Sequence, residues 1–410
     1  MTRPTRPADL SPAARALLQA GLSRRRFLRS TGLGGAALVG GGLLSACGSD
    51  PGGATSGDNG EVEDRSDEDM TLNFSNWQLY IDVDDEDANL RPTLDQFTEE
   101  TGIAVSYTED INDNDSFYAR ISPQLRAGQD TGRDLICLTD WMAARLIRQE
   151  FVQELDEENI PDVRANLIEA LRSPSWDEDR SFSVPWQSGF AGIAYNQALT
   201  GEIRTVEELL SREELRGRVT ALVEWRDTVG LIMIEQGVDI SGDFSEDDFQ
   251  AGIDRLQKAV DAGQIRQFTG NEYSEGLASG DIAACVAWSG DVIQLQLDNP
   301  DLRFVIPEAG CTLWSDNLLI PVLAQHKKNA ELLMDHYYDP AVAAELAAWV
   351  NFISPVAGTQ EAMTEIDPEL AENQLIFPTE DTLAQTYLFR GLSEEEEQSF
   401  NQSFNTVIGA

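Results

Sequence analysis

The chain is poor in lysine, histidine, cysteine and long apolar runs. Lys258, Lys327 and Lys328 are its only lysines, and His326 and His336 its only histidines. With these it forms no His-x-x-x-His or Cys-x-x-Cys spacing, so the usual zinc patterns are missing. It also has no Gly-x-Ser-x-Gly elbow and no P-loop. No catalytic residue, metal site or cofactor is therefore expected. A glycosidase that uses carboxylates alone would leave no such motif, so an exported carboxylate-based hydrolase stays open as the enzyme alternative. Beyond residue 46 no apolar run approaches the ~20 residues needed to span a bilayer.

Positive charge is scarce overall. The chain carries 29 Lys and Arg against 72 Asp and Glu, a net charge of −43. Residues 1–46 hold seven of the arginines and one acid, Asp9, which leaves 22 basic and 71 acidic residues beyond them, a net charge of −49. Such a surface excludes nucleic acid as a partner, because phosphates demand basic groups. It also excludes general adhesion to anionic head groups. It favours solubility, most of all at high salt, where self-repulsion is screened. It also attracts cations.

What is present at the start is an address. Ser23 to Cys47 opens with Arg24 and Arg25, continues through Phe27 and Leu28, and runs through a Gly- and Ala-rich apolar stretch to Leu44-Ser45-Ala46-Cys47. A basic n-region, a short h-region and small residues at its end mark an export signal. Paired arginines address the route that carries folded proteins. The last four residues resemble a lipobox, which makes Cys47 the expected lipidated first residue of the mature protein; an ordinary signal peptide with an incidental cysteine is the competing reading. Residues 1–46 are thus expected to be a twin-arginine lipoprotein signal peptide. Residues 47–70, dominated by Gly, Ser, Asp and Glu, are expected to be a disordered acidic linker. The protein is expected outside the cytoplasm, in the periplasmic space or its equivalent, anchored by lipid to the outer face of the cell membrane.

The mature part is long enough for two domains. Apolar strand-like runs alternate with amphipathic helical stretches from Thr71 onward: Leu72–Phe74, a helix closed by Gly102, Ile103–Tyr107, a helix at Tyr118–Leu125, Leu135–Leu138, and so on. Strand, helix, strand with short joints implies parallel βαβ units and an α/β fold. Thr205 and Ser245 stand as helix caps or starts. Three cysteines follow Cys47, namely Cys137, Cys285 and Cys311; a Cys285–Cys311 disulfide and buried free thiols are both open.

Certain residues resemble a known family. Asn76-Trp77-x-x-Tyr80 followed by Phe97-x-x-Glu100-Thr101-Gly102-Ile103-x-Val105 looks like the start of an extracytoplasmic solute-binding protein of an ABC importer. Trp288-Ser289-Gly290 and Trp314-Ser315-Asp316-x-Leu318-x-Ile320-Pro321 are similar to later motifs of the spermidine/putrescine-binding branch. The resemblance covers about residues 72–400. It implies a two-lobed, periplasmic-binding-protein-like α/β fold with a ligand cleft between the lobes and hinge strands crossing near Gly192–Asn196 and Leu313–Pro321. Residues 71–193 plus 315–354 would form lobe 1, and 197–313 plus 355–410 lobe 2. The implied function is to bind a polyamine and deliver it to the ABC permease subunits, as a monomer. Another small solute, an amino acid or a quaternary amine, is the alternative within binding proteins.

A polyamine needs aromatic faces for its stem and carboxylates for its ammonium groups, since a cation over a ring gains ~0.5–2 kcal/mol and a buried, unpaired ammonium costs far more. The candidate aromatics are Trp77, Tyr80, Trp141, Trp288 and Trp314. The candidate acids are Glu224 and Asp227, three apart after the strand Val219–Val223, and Asp316. Glu224 and Asp227 look like the family's acid pair with the two residue types exchanged. Thr139 falls with Trp141 where the family carries a hydroxyl and an aromatic. A core role for each tryptophan and a solvated surface role for each acid are the competing readings. The chain also departs from the family: Phe352 stands where a tyrosine is usual, and no late amide ligand occurs near Thr386–Arg390.

Overall fold

Strands and helices alternate along almost the whole chain, and the computed structural model describes residues 63–409 except 85. Ten strands form one sheet: β1 Thr71–Trp77, β2 Ala104–Ile111, β3 Leu135–Thr139, β4 Val184–Asn196, β5 Val219–Leu222, β6 Ile265–Thr269, β7 Ala284–Trp288, β8 Leu302–Val305, β9 Cys311–Leu319 and β10 Thr386–Leu388. The spatial order is β2-β1-β3-β9-β4-β7-β5-β6, with β8 on β4 and β10 on β9. The pairs β1–β2, β1–β3, β5–β6 and β5–β7 are parallel. These are the crossovers expected from strand–helix–strand spacing. In the middle, β9 runs antiparallel to both β3 and β4, and β4 antiparallel to β7.

The two largest hydrophobic centres follow from this topology. Leu72, Phe74, Leu135, Cys137, Leu318 and their neighbours build one beneath β1, β3 and β9. Ile193, Val219, Leu222, Val286 and the helix faces of Phe249, Phe400 and Phe404 build the other. Each such side chain contributes ~1.5–3 kcal/mol when fully buried. All thirteen residues of β4 are buried, because this strand is covered throughout its passage from one centre to the other. The passage lies at Ala191: up to this residue the strand pairs with β9, and from it with β7. That adjoins the expected Gly192–Asn196. On β9, the residues Asp316–Leu319 pair with β3, while Cys311–Leu313 pair with β10.

Local signals act where expected. Gly102 ends the helix Pro92–Thr101 in the left-handed region, φ 79°, where a residue without Cβ is favoured. Thr205 and Ser245 close capping boxes with Glu208 and Asp248. The stretch Thr359–Ile366, read as the start of lobe 2 after residue 354, packs through Met363 against Ala344, Ala347 and Ala348 of the helix Pro340–Val350; β10 and the helix Glu394–Ile408 join the second centre.

The signal peptide, Cys47 and most of the linker lie outside the described residues. Residues 63–70 of that linker contact the start of the helix Lys327–His336. The Ser66 hydroxyl accepts from Asn329 N at 3.1 Å and Asp64 Oδ2 from Lys328 N at 3.1 Å, while Lys328 Nζ pairs with Asp67 at 2.8 Å. Acidic and hydroxyl groups thereby satisfy the free N–H groups at the start of the helix Lys327–His336, a partner that the local composition could not reveal. Cys137, Cys285 and Cys311 are buried free thiols. Among the described residues, no helix is long and apolar enough to cross a membrane.

Candidate ligand-binding cleft

The carboxyl ends of β1, β3, β5 and β7 open on one cleft of about 1170 Å³, where open α/β sheets place their ligands. The volume slightly exceeds the ~300–1,000 Å³ typical of small-molecule sites, so space alone does not limit ligand length. Trp77 closes β1 and Tyr80 follows in the next turn; Thr139 closes β3 and Trp141 opens the helix Asp140–Arg148. Glu224 caps the helix Trp225–Glu235, with Asp227 in its first turn. Trp288 closes β7, and Trp314 and Asp316 lie within β9. All nine residues singled out in the sequence line this cleft.

Asp316 is the most telling of the acids. It stands directly across the β3–β9 ladder from Thr139, and is 5% exposed. Burial pushes its carboxyl up to about 7, although the Thr139 and Tyr80 hydroxyls beside it act in the opposite sense. Neither hydroxyl reaches Oδ1 with hydrogen-bond geometry, and this oxygen has no partner among the described residues. A buried carboxylate oxygen without a donor is costly. It is the kind of group that a cationic ligand satisfies.

Asp227 is engaged differently. The indole Nε1 of Trp288 donates to its Oδ2 at 2.9 Å, and the Thr312 hydroxyl donates to Oδ1 at 2.7 Å. Burial raises its pKa, against these two hydrogen bonds. Glu224 accepts from Arg226 N at 3.1 Å and pairs with the Arg226 guanidinium at 3.5 Å. Burial nevertheless lifts Glu224 to about 7.

The aromatic walls depend on missing side chains. A Cβ at Gly189 would sit 2.5 Å from Trp314 Cζ2, and one at Gly290 would sit 2.6 Å from the Phe352 ring. These two glycines let Trp314 and Phe352 approach the backbone and each other, edge to face at 5.2 Å. Phe352 also meets Tyr80 at 5.6 Å. Phe352 is thus an apolar cleft wall, and Leu388 at the end of β10 and Phe389 after it line the cleft as well.

Three cleft groups were missed by sequence reasoning. Asp291, three residues after Trp288, accepts from the Tyr273 hydroxyl at 2.6 Å and is raised by burial to about 6. Its signal was available, because it follows β7 much as Glu224 and Asp227 follow β5. Asp140 accepts from Asn317 Nδ2 at 2.7 Å and is likewise raised by burial to about 6. Arg226 places its guanidinium 3.7 Å from the Trp141 ring centroid. The face of Trp141 is therefore already covered by a cation of the chain itself, which nothing in the local sequence foretold.

Comparisons with known proteins agree with this architecture. The spermidine/putrescine-binding periplasmic protein 1 of Haemophilus influenzae is 25% identical over 295 residues, covering 72% of this chain and 79% of that protein. The putrescine-binding periplasmic protein PotF of Escherichia coli is 27% identical over 342 residues, covering 79% and 87%. Among solved structures, a putative spermidine/putrescine ABC transporter protein from Listeria monocytogenes superposes with a TM-score of 0.72 at 24% identity, covering 82% of this chain and 98% of the other. A lipoprotein of Treponema pallidum superposes with a TM-score of 0.70 at 20% identity, covering 83% and 100%. These two share the two-lobed α/β fold. The family model for bacterial extracellular solute-binding proteins matches residues 93–378, and the chain belongs to that family.

Proposed function

We propose that this protein is the extracytoplasmic ligand-binding component of an ABC importer and that it carries a polyamine-like cation, of the spermidine/putrescine class, to the permease. The observation that carries the reading is Asp316: a buried carboxylate with one unpartnered oxygen, set among the rings of Trp314, Tyr80 and Phe352. Asp316 faces one ammonium group. Asp227, held by Trp288, and Asp291, held by Tyr273, provide further negative charge. Trp77, Trp288 and Trp314 pack along the aliphatic stem, and Tyr80 and Thr139 form the polar rim. Glu224 contributes to the negative field but shares its charge with Arg226, and Trp141 acts as wall. The names of the curated relatives support the ligand class.

The lobes divide at β4 and β9, with 71–193 and 315–354 in the first. The second holds 197–313 and the end of the chain, and the stretch from Thr359 to Phe377 rides on the first. Lobe closure encloses the ligand and creates the surface that the permease reads. Delivery from a monomer tethered through lipid on Cys47 after twin-arginine export, and the absence of any catalytic step, complete the proposal.

The test is titration of putrescine, spermidine, choline and a set of amino acids, followed by tryptophan fluorescence, on the wild type, Asp316→Asn and Trp288→Ala. A polyamine should bind the wild type best and each variant much more weakly. Unchanged affinity in both variants would show that the site is wrong.

A further inference from the structure

Acids outnumber bases by 72 to 29 in this chain, yet three arginines converge on one carboxylate at the cleft mouth. Glu397, on the helix Glu394–Ile408 of the second lobe, is buried and accepts from Arg226 Nη2 at 2.8 Å through Oε1. Its other oxygen, Oε2, accepts from Arg145 Nε at 3.3 Å, with Arg145 Nη2 paired at 3.1 Å and Arg148 3.8 Å away. Arg226 belongs to the second lobe with Glu397, whereas Arg145 and Arg148 stand on the helix Asp140–Arg148 of the first. Both carboxylate oxygens are thus taken by guanidinium groups, one from each side of the cleft. Trp141 of the first lobe covers the Arg226 guanidinium at 3.7 Å and completes the contact.

We propose that Glu397 is a positioning residue that clasps the two lobes in the closed state and sets how slowly ligand leaves. The partners on each side make the clasp reversible. When the lobes separate, Arg145 keeps Asp115 of its own lobe, 3.1 Å away, and Glu397 keeps Arg226. No charge is left buried without a counter-charge, a situation that would make opening prohibitive. What is lost is the contact of Arg145 and Arg148 with Glu397 and one cation–ring contact, weakly screened while they are partly buried. The grip is therefore strongest in the closed arrangement. Closure encloses ligand under the polyamine reading above, on which the kinetic part of this inference rests.

The experiment compares the full chain with Glu397→Gln, Arg145→Gln and the double variant. Small-angle scattering without ligand reads the lobe separation. Stopped-flow fluorescence with putrescine reads the rates. Each single variant should increase the radius of gyration and raise the putrescine off-rate about tenfold, while the on-rate stays within about twofold. The double variant should be no worse than Glu397→Gln alone, because Arg145 acts through Glu397. Wild-type scattering profiles and off-rates in the single variants, or additive effects in the double, would overturn the clasp. If putrescine fails to bind the wild type, the scattering arm alone decides the clasp, and the ligand reading fails separately.

Discussion

Trp288 and Asp227 meet across the cleft floor, the indole Nε1 donating to the Asp227 carboxylate at 2.9 Å, although 61 positions separate them in the chain. The hydrogen bond fixes the ring edge-on to the acid, so one face of Trp288 remains for a ligand while the charge beside it stays oriented. Trp288→Phe keeps the ring and removes the donor. It should weaken putrescine binding by about 3- to 10-fold, the value of one hydrogen bond to a charged group in part compensated by ligand. Titration calorimetry on the variant measures it.

Asp316→Asn preserves shape and removes the charge. Losing one side of a buried charge pair costs about 2–5 kcal/mol, which is a loss of at least ~30-fold in affinity. The same substitution should raise the melting temperature of the ligand-free protein, since it removes a carboxylate without a donor on Oδ1. Opposite signs in binding and stability distinguish a ligand-facing acid from a structural one, and differential scanning calorimetry with and without putrescine reads both.

The acids of the cleft also predict a pH dependence. Asp316 is raised to about 7 from its ordinary 3.8, and Asp291 to about 6, both by burial. Groups with raised folded pKa bind more protons folded than unfolded. Their contribution to stability is therefore fully present below about pH 4 and is lost as pH rises through 6 to 7. The ligand-free protein should melt higher at pH 5.5 than at pH 8. Putrescine affinity should run the other way, falling between pH 7 and pH 5, with one to two protons released on binding near pH 6. Calorimetry in buffers of different ionisation enthalpy counts them.

Gly189→Ala tests the aromatic wall. Its Cβ would fall 2.5 Å from Trp314 and 2.9 Å from Phe352, and overpacking of this kind costs about 1–3 kcal/mol. A lower melting temperature together with weaker putrescine binding is expected, whereas Gly391→Ala, with nothing within 4 Å of its Cβ, should change neither.

Ser66→Ala tests the end of the linker. It removes the hydroxyl that accepts from Asn329 N and should cost about 1 kcal/mol, the usual value of a capping group. A chain beginning at Thr71 should lose more, because it also removes Asp64 and Asp67 from the start of the same helix. Thermal melts of the three proteins give the comparison.

Much of this was legible in the sequence because it is local. The strand-to-helix turns that end at Trp77, Thr139 and Trp288 are written in short apolar runs followed by polar residues, and the helix stop at Gly102 is a backbone requirement. Position after a strand brought Glu224 and Asp227 forward, and the Trp314-Ser315-Asp316 motif brought Asp316 forward, from the 71 acids beyond residue 46. What could not be read depends on contacts distant in sequence. Arg226 lies 85 residues from the Trp141 ring that it covers, and Glu397 lies 252 residues from Arg145. The anchoring of Ser66 depends on a helix that begins 261 residues later. Asp291 was missed for another reason: among so many acids, its place after β7 carried weight only once Tyr273 was seen to hold it.

The most direct measurement is calorimetric titration of the full chain with putrescine at low and at high salt. One-to-one binding that persists at high salt is expected, because a cation enclosed with Asp316 between the lobes is shielded from screening. Heat that disappears as salt rises would mean that only the acidic surface had been titrated, and would contradict a cation site in the cleft.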